Sequence, residues 1–119
     1  MGLTHLELEV ANPAKPRKRE RLRLLVDSGA VYSVVPGSVL RRLGIKPHSK
    51  RTFTLANGDA IERDVGDAVF HYEMHRAASP VIFGKPGDSN LLGMVTLESL
   101  GLVLDPLRRE LKPLPMILA

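Results

Sequence analysis

The residues of this chain best suited to chemistry form one short stretch, Asp27, Ser28, Gly29 and Ala30. Apolar runs lie on both sides of it, at residues 24–26 and 34–35. A carboxylate in an apolar setting is costly unless something compensates it, whereas glycine permits a sharp turn and close approach of a partner. The pattern indicates a reactive carboxyl group presented from the end of a buried strand. It also fits a plain strand-ending turn, because Asp, Ser and Gly are common turn residues.

A second motif lies downstream, where two hydrophobic residues precede a glycine: Leu91, Leu92 and Gly93. Together with residues 24–36, which read Leu-Leu-Val-Asp-Ser-Gly-Ala-Val-Tyr-Ser-Val-Val-Pro, this chain resembles the retropepsin-like aspartic proteases. The resemblance is to the single-domain bacterial or archaeal type, and it covers about residues 6–114. It implies that residues 91–93 pack under the catalytic loop and support it.

The resemblance also implies a role for each residue of the first motif. Asp27 is implied to bind and activate the lytic water, Ser28 to grip the opposite loop, and Gly29 to let the two loops approach. Ala30 places a methyl group where pepsin-like enzymes often have a hydroxyl. In this family, two catalytic carboxyl groups share one proton. Because Ala30 offers these carboxyl groups one hydrogen bond fewer, the shared proton is expected to be held more tightly, which favours a mildly acidic pH optimum.

Peptide hydrolysis by this route needs an acid and a base at the same time, and therefore two carboxyl groups. The chain has only one Asp-(Ser/Thr)-Gly motif. Four other aspartates lie in polar stretches that are predicted to be loops: Asp59, Asp64, Asp67 and Asp88. We therefore expect a homodimeric aspartic endopeptidase in which the second carboxylate is Asp27 of another copy. The alternative is a non-catalytic dimeric module on the same fold that binds peptides or serves in assembly.

Between the two motifs lies a predicted hairpin whose tip is Ala56, Asn57, Gly58 and Asp59. Asn-Gly between two strand-like runs is a strong hairpin signal. Its position in the chain favours a flap that closes over substrate, and the alternative is an ordinary surface hairpin.

The chain departs from the viral pattern at the predicted dimer contact. Val31 and Met94 stand where viral members usually have an acidic residue and an arginine that pair with each other. Since both positions are apolar, we expect an apolar contact in place of the ion pair, and not an ion pair that has lost one of its two charges. The apolar C-terminal residues 113–118 are a candidate interface strand, although their prolines argue against a regular central strand.

Alternating and apolar runs predict a single domain over residues 1–119 that is mainly β, a small closed β-barrel with one or two short helices. The predicted helix spans residues 36–43, with Pro36 at its first position, Gly44 after its end, and a second short helical run at residues 96–100. The predicted strands are residues 5–10, 21–26, 32–35, 52–55, 60–62, 68–74, 80–83, 102–104 and 110–114.

Composition limits the partners. The net charge is +4, but the basic residues between Lys15 and Arg23 have no interleaved aromatic residues, so a solvated hairpin is favoured over nucleic-acid binding. No apolar stretch approaches membrane-spanning length, and the chain is expected to be cytoplasmic. Cysteine is absent, which excludes disulfides and thiolate metal sites. Alternating His71, Glu73 and His75 could bind zinc, but an exposed strand face explains them equally well, and we expect no metal or cofactor.

Overall fold

The computed structural model describes residues 4–115, which form a mainly β fold with two short helices, as the sequence predicts. In the predicted C-terminal interface strand, residues 116–118 lie outside the described residues. In chain order the elements are β1 (His5–Asn12), β2 (Lys15–Val26), β3 (Ser33–Pro36), α1 (Gly37–Arg42), β4 (Ser49–Thr54), β5 (Ala60–Tyr72), β6 (His75–Gly84), β7 (Leu91–Leu92), α2 (Met94–Ser99), β8 (Leu102–Asp105) and β9 (Glu110–Pro113).

Seven of these strands form one sheet in the order β1-β2-β7-β3-β6-β5-β4, and β8 pairs with β9 in a second, two-stranded sheet. Strand β1 also pairs with β5, so hydrogen-bonded neighbours run in a ring from β1 through β2, β7, β3, β6 and β5 back to β1. The short strand β7 lies between β2, to which it is parallel, and β3, to which it is antiparallel. Strand β7 therefore lies beside the C-terminal end of β2, directly before Asp27.

The core is mainly aliphatic, as expected for a chain with no tryptophan, and it also contains Phe70 and Phe83. Alternation places Leu8 and Val10 of β1 and Leu24 of β2 inside, and each is at most 2% exposed. Helix α2 covers the same core with Leu97. Burying this apolar surface is the main driving force for folding, and here it also fixes the strand that leads into Asp27.

Helix α1 is close to its predicted position but one residue shorter at each end. Pro36 is the N-cap and not the first helical residue, and Gly44 follows the helix with φ +82° in the left-handed region. Arg41 and Arg42 lie in the last turn, where positive charge interacts favourably with the helix dipole. No helix within residues 4–115 is long and apolar enough to cross a membrane.

The largest error of the sequence analysis concerns β5 and β6. The predicted strand 68–74 is wrong at its end, because the chain turns between Tyr72 and His75, which pair with each other. Glu73 adopts φ 52°, and Met74 is 99% exposed at the turn. The alternation of His71, Glu73 and His75 therefore does not describe one strand face. Within residues 4–115, no three metal-ligating side chains form a group.

Candidate active site

Asp27 lies directly after β2, whose last residues are buried, and its own side chain is half-buried. Its carboxylate oxygen Oδ1 accepts a hydrogen bond from the Gly29 N–H at 2.8 Å. Its carbonyl oxygen accepts one from the Ala30 N–H at 3.1 Å. The two interpretations of this stretch thus coincide, because a tight turn presents the carboxylate at the end of a buried strand. We call residues 27–32 the Asp27 loop.

The chain segment 91–95, here called the support segment, lies against this loop. The Leu92 carbonyl accepts the Asp27 N–H at 3.0 Å. In return, the Ala30 and Val31 carbonyls accept backbone N–H groups of residues 94 and 95 at 2.8 and 3.0 Å. Backbone bonds thus hold the loop on both sides of Ser28, and the structure brings the two sequence motifs together.

Gly93 of the support segment packs tightly against the backbone at the end of the loop. A Cβ atom at this position would lie 2.5 Å from the Tyr32 carbonyl carbon and 2.9 Å from the Ser33 nitrogen. The Gly93 N–H donates to the Ser33 hydroxyl at 2.9 Å. Only a residue without a side chain fits this contact, which explains the glycine of the second motif.

A buried cluster of hydroxyl groups beneath the loop was missed by the sequence analysis. The Thr96 hydroxyl of α2 lies 2.5 Å from that of Ser33 and 2.8 Å from that of Ser79 on β6. All three residues are at most 3% exposed. Because buried polar groups need partners, these hydroxyls fix β3, β6 and α2 relative to one another.

The predicted hairpin is present, with residues 55–59 connecting β4 to β5. The Leu55 N–H donates to the Asp59 carbonyl at 2.8 Å, and the Asn57 side chain accepts the Asp59 N–H at 2.9 Å. Gly58 has φ +92°, and Ala56 and the rest of the tip are exposed. The turn is a five-residue connection stabilised by its own short-range bonds, longer than the two-residue turn that Asn-Gly favours.

A cavity of about 520 Å³ opens between the Asp27 loop and this hairpin. Gly29, Ala30 and Val31 form one side of it, and Asp27 itself does not line it in a single protomer. Most of the remaining wall is apolar, contributed by Tyr32, Val34, Phe53, Leu55, Ile61, Ile82 and Leu91. The cavity can accept an extended chain with apolar side chains next to the loop.

Two charged residues in the cavity wall form an ion pair. Arg63 of β5 donates from Nε and Nη2 to the two carboxylate oxygens of Asp88 at 2.8 and 2.9 Å, and the side chains are 14% and 23% exposed. These hydrogen bonds lower the pKa of Asp88 and raise that of Arg63, although partial burial opposes both shifts. Asp88 lies in the loop between β6 and β7, as the sequence predicts, and its pairing with Arg63 makes it a partly buried anchor of that loop.

The exposed residues of the loop are Ser28, Gly29 and Val31, the last 65% exposed, while Met94 is half-buried. Ser28 has no hydrogen bond to the other described residues that involves its hydroxyl.

A family model described as aspartyl protease matches residues 13–96, which is well over half of the chain and includes both motifs. The chain belongs to the aspartyl protease family. Membership of this family confirms the resemblance found from the two motifs, and it supports a protease function.

Among solved structures, this aspartyl protease family member is similar to the solution structure of the simian foamy virus (mac) protease. The two are 23% identical, the match covers 74% of this chain and 87% of the viral chain, and the TM-score is 0.48. No curated protein matches the chain.

Proposed function

We propose that the protein is a homodimeric aspartic endopeptidase that hydrolyses peptide bonds with a water activated by paired Asp27 carboxylates, one from each protomer. The observation that carries this proposal is the isolation of Asp27. It stands at the end of a buried strand in a loop fixed by backbone bonds, and every other aspartate among residues 4–115 is bonded to a partner in its own surroundings.

The other aspartates of the described chain are engaged elsewhere. Asp88, which also lines the cavity, has both oxygens on Arg63 and also accepts the Lys85 N–H at 2.8 Å. Since its pKa is lowered, it stays ionised where a shared proton would be needed. The remaining four bind partners within their own surroundings: Asp59 to Asn57, Asp64 to Arg41 and Lys50, Asp67 to His48, and Asp105 to the backbone of residues 107 and 108. With these aspartates engaged, Asp27 of another copy of the chain is the proposed second acid.

In the proposed dimer, a two-fold axis passes between two Asp27 loops. Two carboxyl groups held close together cannot both ionise, so they share one proton and titrate as a pair. The ionised member takes a proton from the attacking water, and the protonated member donates its proton to the carbonyl oxygen of the substrate. The hydrated carbonyl then collapses, and the peptide nitrogen leaves with a proton returned through the pair.

The surface features of the loop support this pairing. The Ser28 hydroxyl has no partner among residues 4–115 and can bond to the partner loop, and Gly29 adds no side chain that would keep the loops apart. Exposed Val31 is suited to an apolar contact with the partner, in place of the ion pair of viral relatives. We also propose that the ring of paired strands from β1 to β5 is the closed barrel expected from the sequence.

The hairpin tip at residues 55–59 is proposed to act as the flap. An extended peptide lying in the cavity could pair with the edge strand β4, which within residues 4–115 has a sheet neighbour on one side only. Closure of the tip over the peptide would shut out bulk solvent while the attacking water stays between the carboxylates.

The first test is cleavage of a peptide library across a pH range by wild type and by Asp27→Asn, with and without a statine-type inhibitor. We expect cleavage by the wild type, inhibition by the statine, and no cleavage by the variant. Asp67→Asn is the matched control, because it removes one surface carboxylate and should cleave normally. Unchanged cleavage by Asp27→Asn would disprove the dyad, and specific peptide binding without cleavage by wild type would favour the binding module.

The second test is the mass of the active species in solution. We expect a dimer at concentrations where peptides are cleaved, since a single chain holds one half of the dyad. A strictly monomeric but active protein would refute the proposal.

The third test is the pH dependence of cleavage. The pH–rate profile should peak in the mildly acidic range, because Ala30 has no hydroxyl that could form an extra hydrogen bond to the carboxyl groups sharing the proton. A peak in the strongly acidic range would contradict that reasoning.

A further inference from the structure

Strand β4 places a second arginine at the edge of the cavity. Arg51 is paired with Arg63 across β4 and β5, so the two side chains lie on the same face of the hairpin. Phe53, two residues further along the same face, lines the cavity, as does Arg63. Arg51 is thus just outside the cavity wall, on the face that substrate would meet.

Arg63 has a carboxylate partner, whereas Arg51 has none among residues 4–115. Like charges directly opposite in a sheet are unfavourable, and Asp88 offsets that of Arg63. Arg51 has no ion-pair partner among residues 4–115. Its neighbour Lys50, on the other face of β4, is within 3.8 Å of Asp64. The cleft edge therefore presents one positive charge for which the described chain provides no carboxylate.

Arg51 is nevertheless held in place. Its Nη1 donates to the Tyr32 hydroxyl at 2.6 Å, and its guanidinium carbon lies 5.6 Å from the centre of the Tyr32 ring. The Tyr32 ring in turn meets Phe53 edge-on, with ring centres 6.2 Å apart. This arrangement orients the guanidinium but uses one of its five N–H donors, and it leaves the others available to a carboxylate.

We propose that Arg51, oriented by Tyr32, forms a specificity subsite that selects a glutamate or aspartate side chain of the peptide substrate. The proposal deepens the proposed endopeptidase function, on which it rests. A carboxylate at this point supplies the counter-charge that Arg51 lacks, and bidentate binding to a preoriented guanidinium favours an acid over its amide. In a two-fold dimer, the subsite occurs at both ends of the cleft.

The test compares peptides that are identical except for Glu or Gln at one position, moved stepwise along a cleavable sequence. At one position on each side of the scissile bond, wild type should favour Glu by about tenfold in kcat/KM, mainly through KM. Arg51→Gln should abolish the preference, Arg51→Lys should retain part of it, and Tyr32→Phe should weaken it. The preference should also fall as salt rises.

Lys50→Gln is the matched control, since it removes one positive charge from the adjacent residue on the opposite face; it should keep the Glu preference. A structural role of Arg51 alone would slow cleavage of the Glu and Gln peptides equally in Arg51→Gln. That result, or a wild type that treats the two peptides alike at every position, would overturn the proposal.

Binding separates this proposal from the endopeptidase function. Fluorescent Glu and Gln peptides are titrated into Asp27→Asn, and into Asp27→Asn carrying Arg51→Gln, and their Kd values are compared. A tighter Kd for Glu that needs Arg51 supports the subsite even if the wild type cleaves nothing, in which case only the proposed function fails. Equal Kd values for the two peptides, or no binding of either, would overturn the subsite.

Discussion

The Asp27 loop and the tip of the candidate flap are both short turns, but they are held in place by different means. The loop is bonded to the support segment by backbone groups more than 60 residues away in sequence, for example Asp27 to Leu92. Within the described part of the chain, the hydrogen bonds of the flap tip join residues 55–59 to one another. Long-range bonds and burial make the first region rigid, whereas the second can open without breaking contacts elsewhere. A cleft that binds substrate needs both properties.

We expect substitution of Gly93, beside the Asp27 loop, to cost much more stability than substitution of Gly58 at the flap tip. Gly93→Ala should cost about 3 kcal/mol of unfolding free energy or more, because the new Cβ would overlap backbone atoms of Tyr32 and Ser33, which cannot rotate away. Urea unfolding followed by circular dichroism measures this. Native stability in the variant would mean that the contact between loop and support segment is looser than described.

The Arg63–Asp88 pair connects the strand that follows the flap tip to the loop that leads into the support segment, because Arg63 belongs to β5 and Asp88 precedes β7. Asp88→Asn should destabilise the protein by about 2 kcal/mol at neutral pH by weakening a charge-assisted pair that is partly buried. Because the folded pKa of Asp88 is lower than its unfolded pKa, the stabilisation is complete above the unfolded value of about 4 and is lost as pH falls through the folded value.

The Tm of wild type and of Asp88→Asn is measured at a series of pH values from 7 down to 2. We expect the Tm values of the two proteins to converge only below about pH 4. A difference that is independent of pH down to the lowest value would show that the charge of Asp88 is not what stabilises the pair. Asp67→Asn, which alters an exposed partner of His48, serves as the control.

Beneath the Asp27 loop, Thr96→Val should cost about 1–2 kcal/mol, because the shape is kept while the Ser33 and Ser79 hydroxyls each lose a buried partner. Thr52→Val, at an exposed position of β4, is the matched control and should be nearly neutral. If both substitutions had equal effects in chemical denaturation, the hydroxyl cluster would not contribute to holding the loop.

The smallest effect is expected at the flap tip. Gly58→Ala meets no atom within 4 Å, so its cost of about 1 kcal/mol comes from the positive φ alone. Gly87→Ala has a similar φ and similarly open surroundings, and it should lose similar stability. Only Gly58→Ala should raise KM for peptides; an effect of Gly58→Ala on stability as large as that of Gly93→Ala would remove the contrast between the two regions.

The sequence predicted what depends on local patterns. Alternation located most strands, Asn57-Gly58 located the hairpin, and the two motifs led to the family. It did not predict the turn at Glu73, because the left-handed conformation there carries no Gly or Pro signal. The sequence pattern also predicted two strands in place of β5, since Gly66 interrupts the pattern. In the structure the strand is continuous. A Cβ atom at Gly66 would lie 2.9 Å from the Phe83 ring, so the glycine permits close packing at this point.

The missed parts of the site depend on contacts that are distant in sequence. Ser33 and Thr96 are 63 residues apart, and Arg63 and Asp88 are 25 apart, so neither pair has a local signature. Only a polar residue within an apolar run, as Ser33 is between residues 31 and 35, could have suggested a buried hydroxyl. The Arg51–Tyr32 contact is equally invisible without the fold.

The central claim is that two chains each supply one Asp27 to one site, and mixing tests it most directly. Wild type and Asp27→Asn are combined at increasing ratios, allowed to exchange subunits, and assayed on a cleaved peptide at constant total protein. If each site needs two aspartates, activity follows the square of the wild-type fraction, so an equal mixture retains about a quarter of it. Activity that falls in direct proportion to the wild-type fraction, leaving about half in an equal mixture that has been shown to contain mixed dimers, would contradict the account.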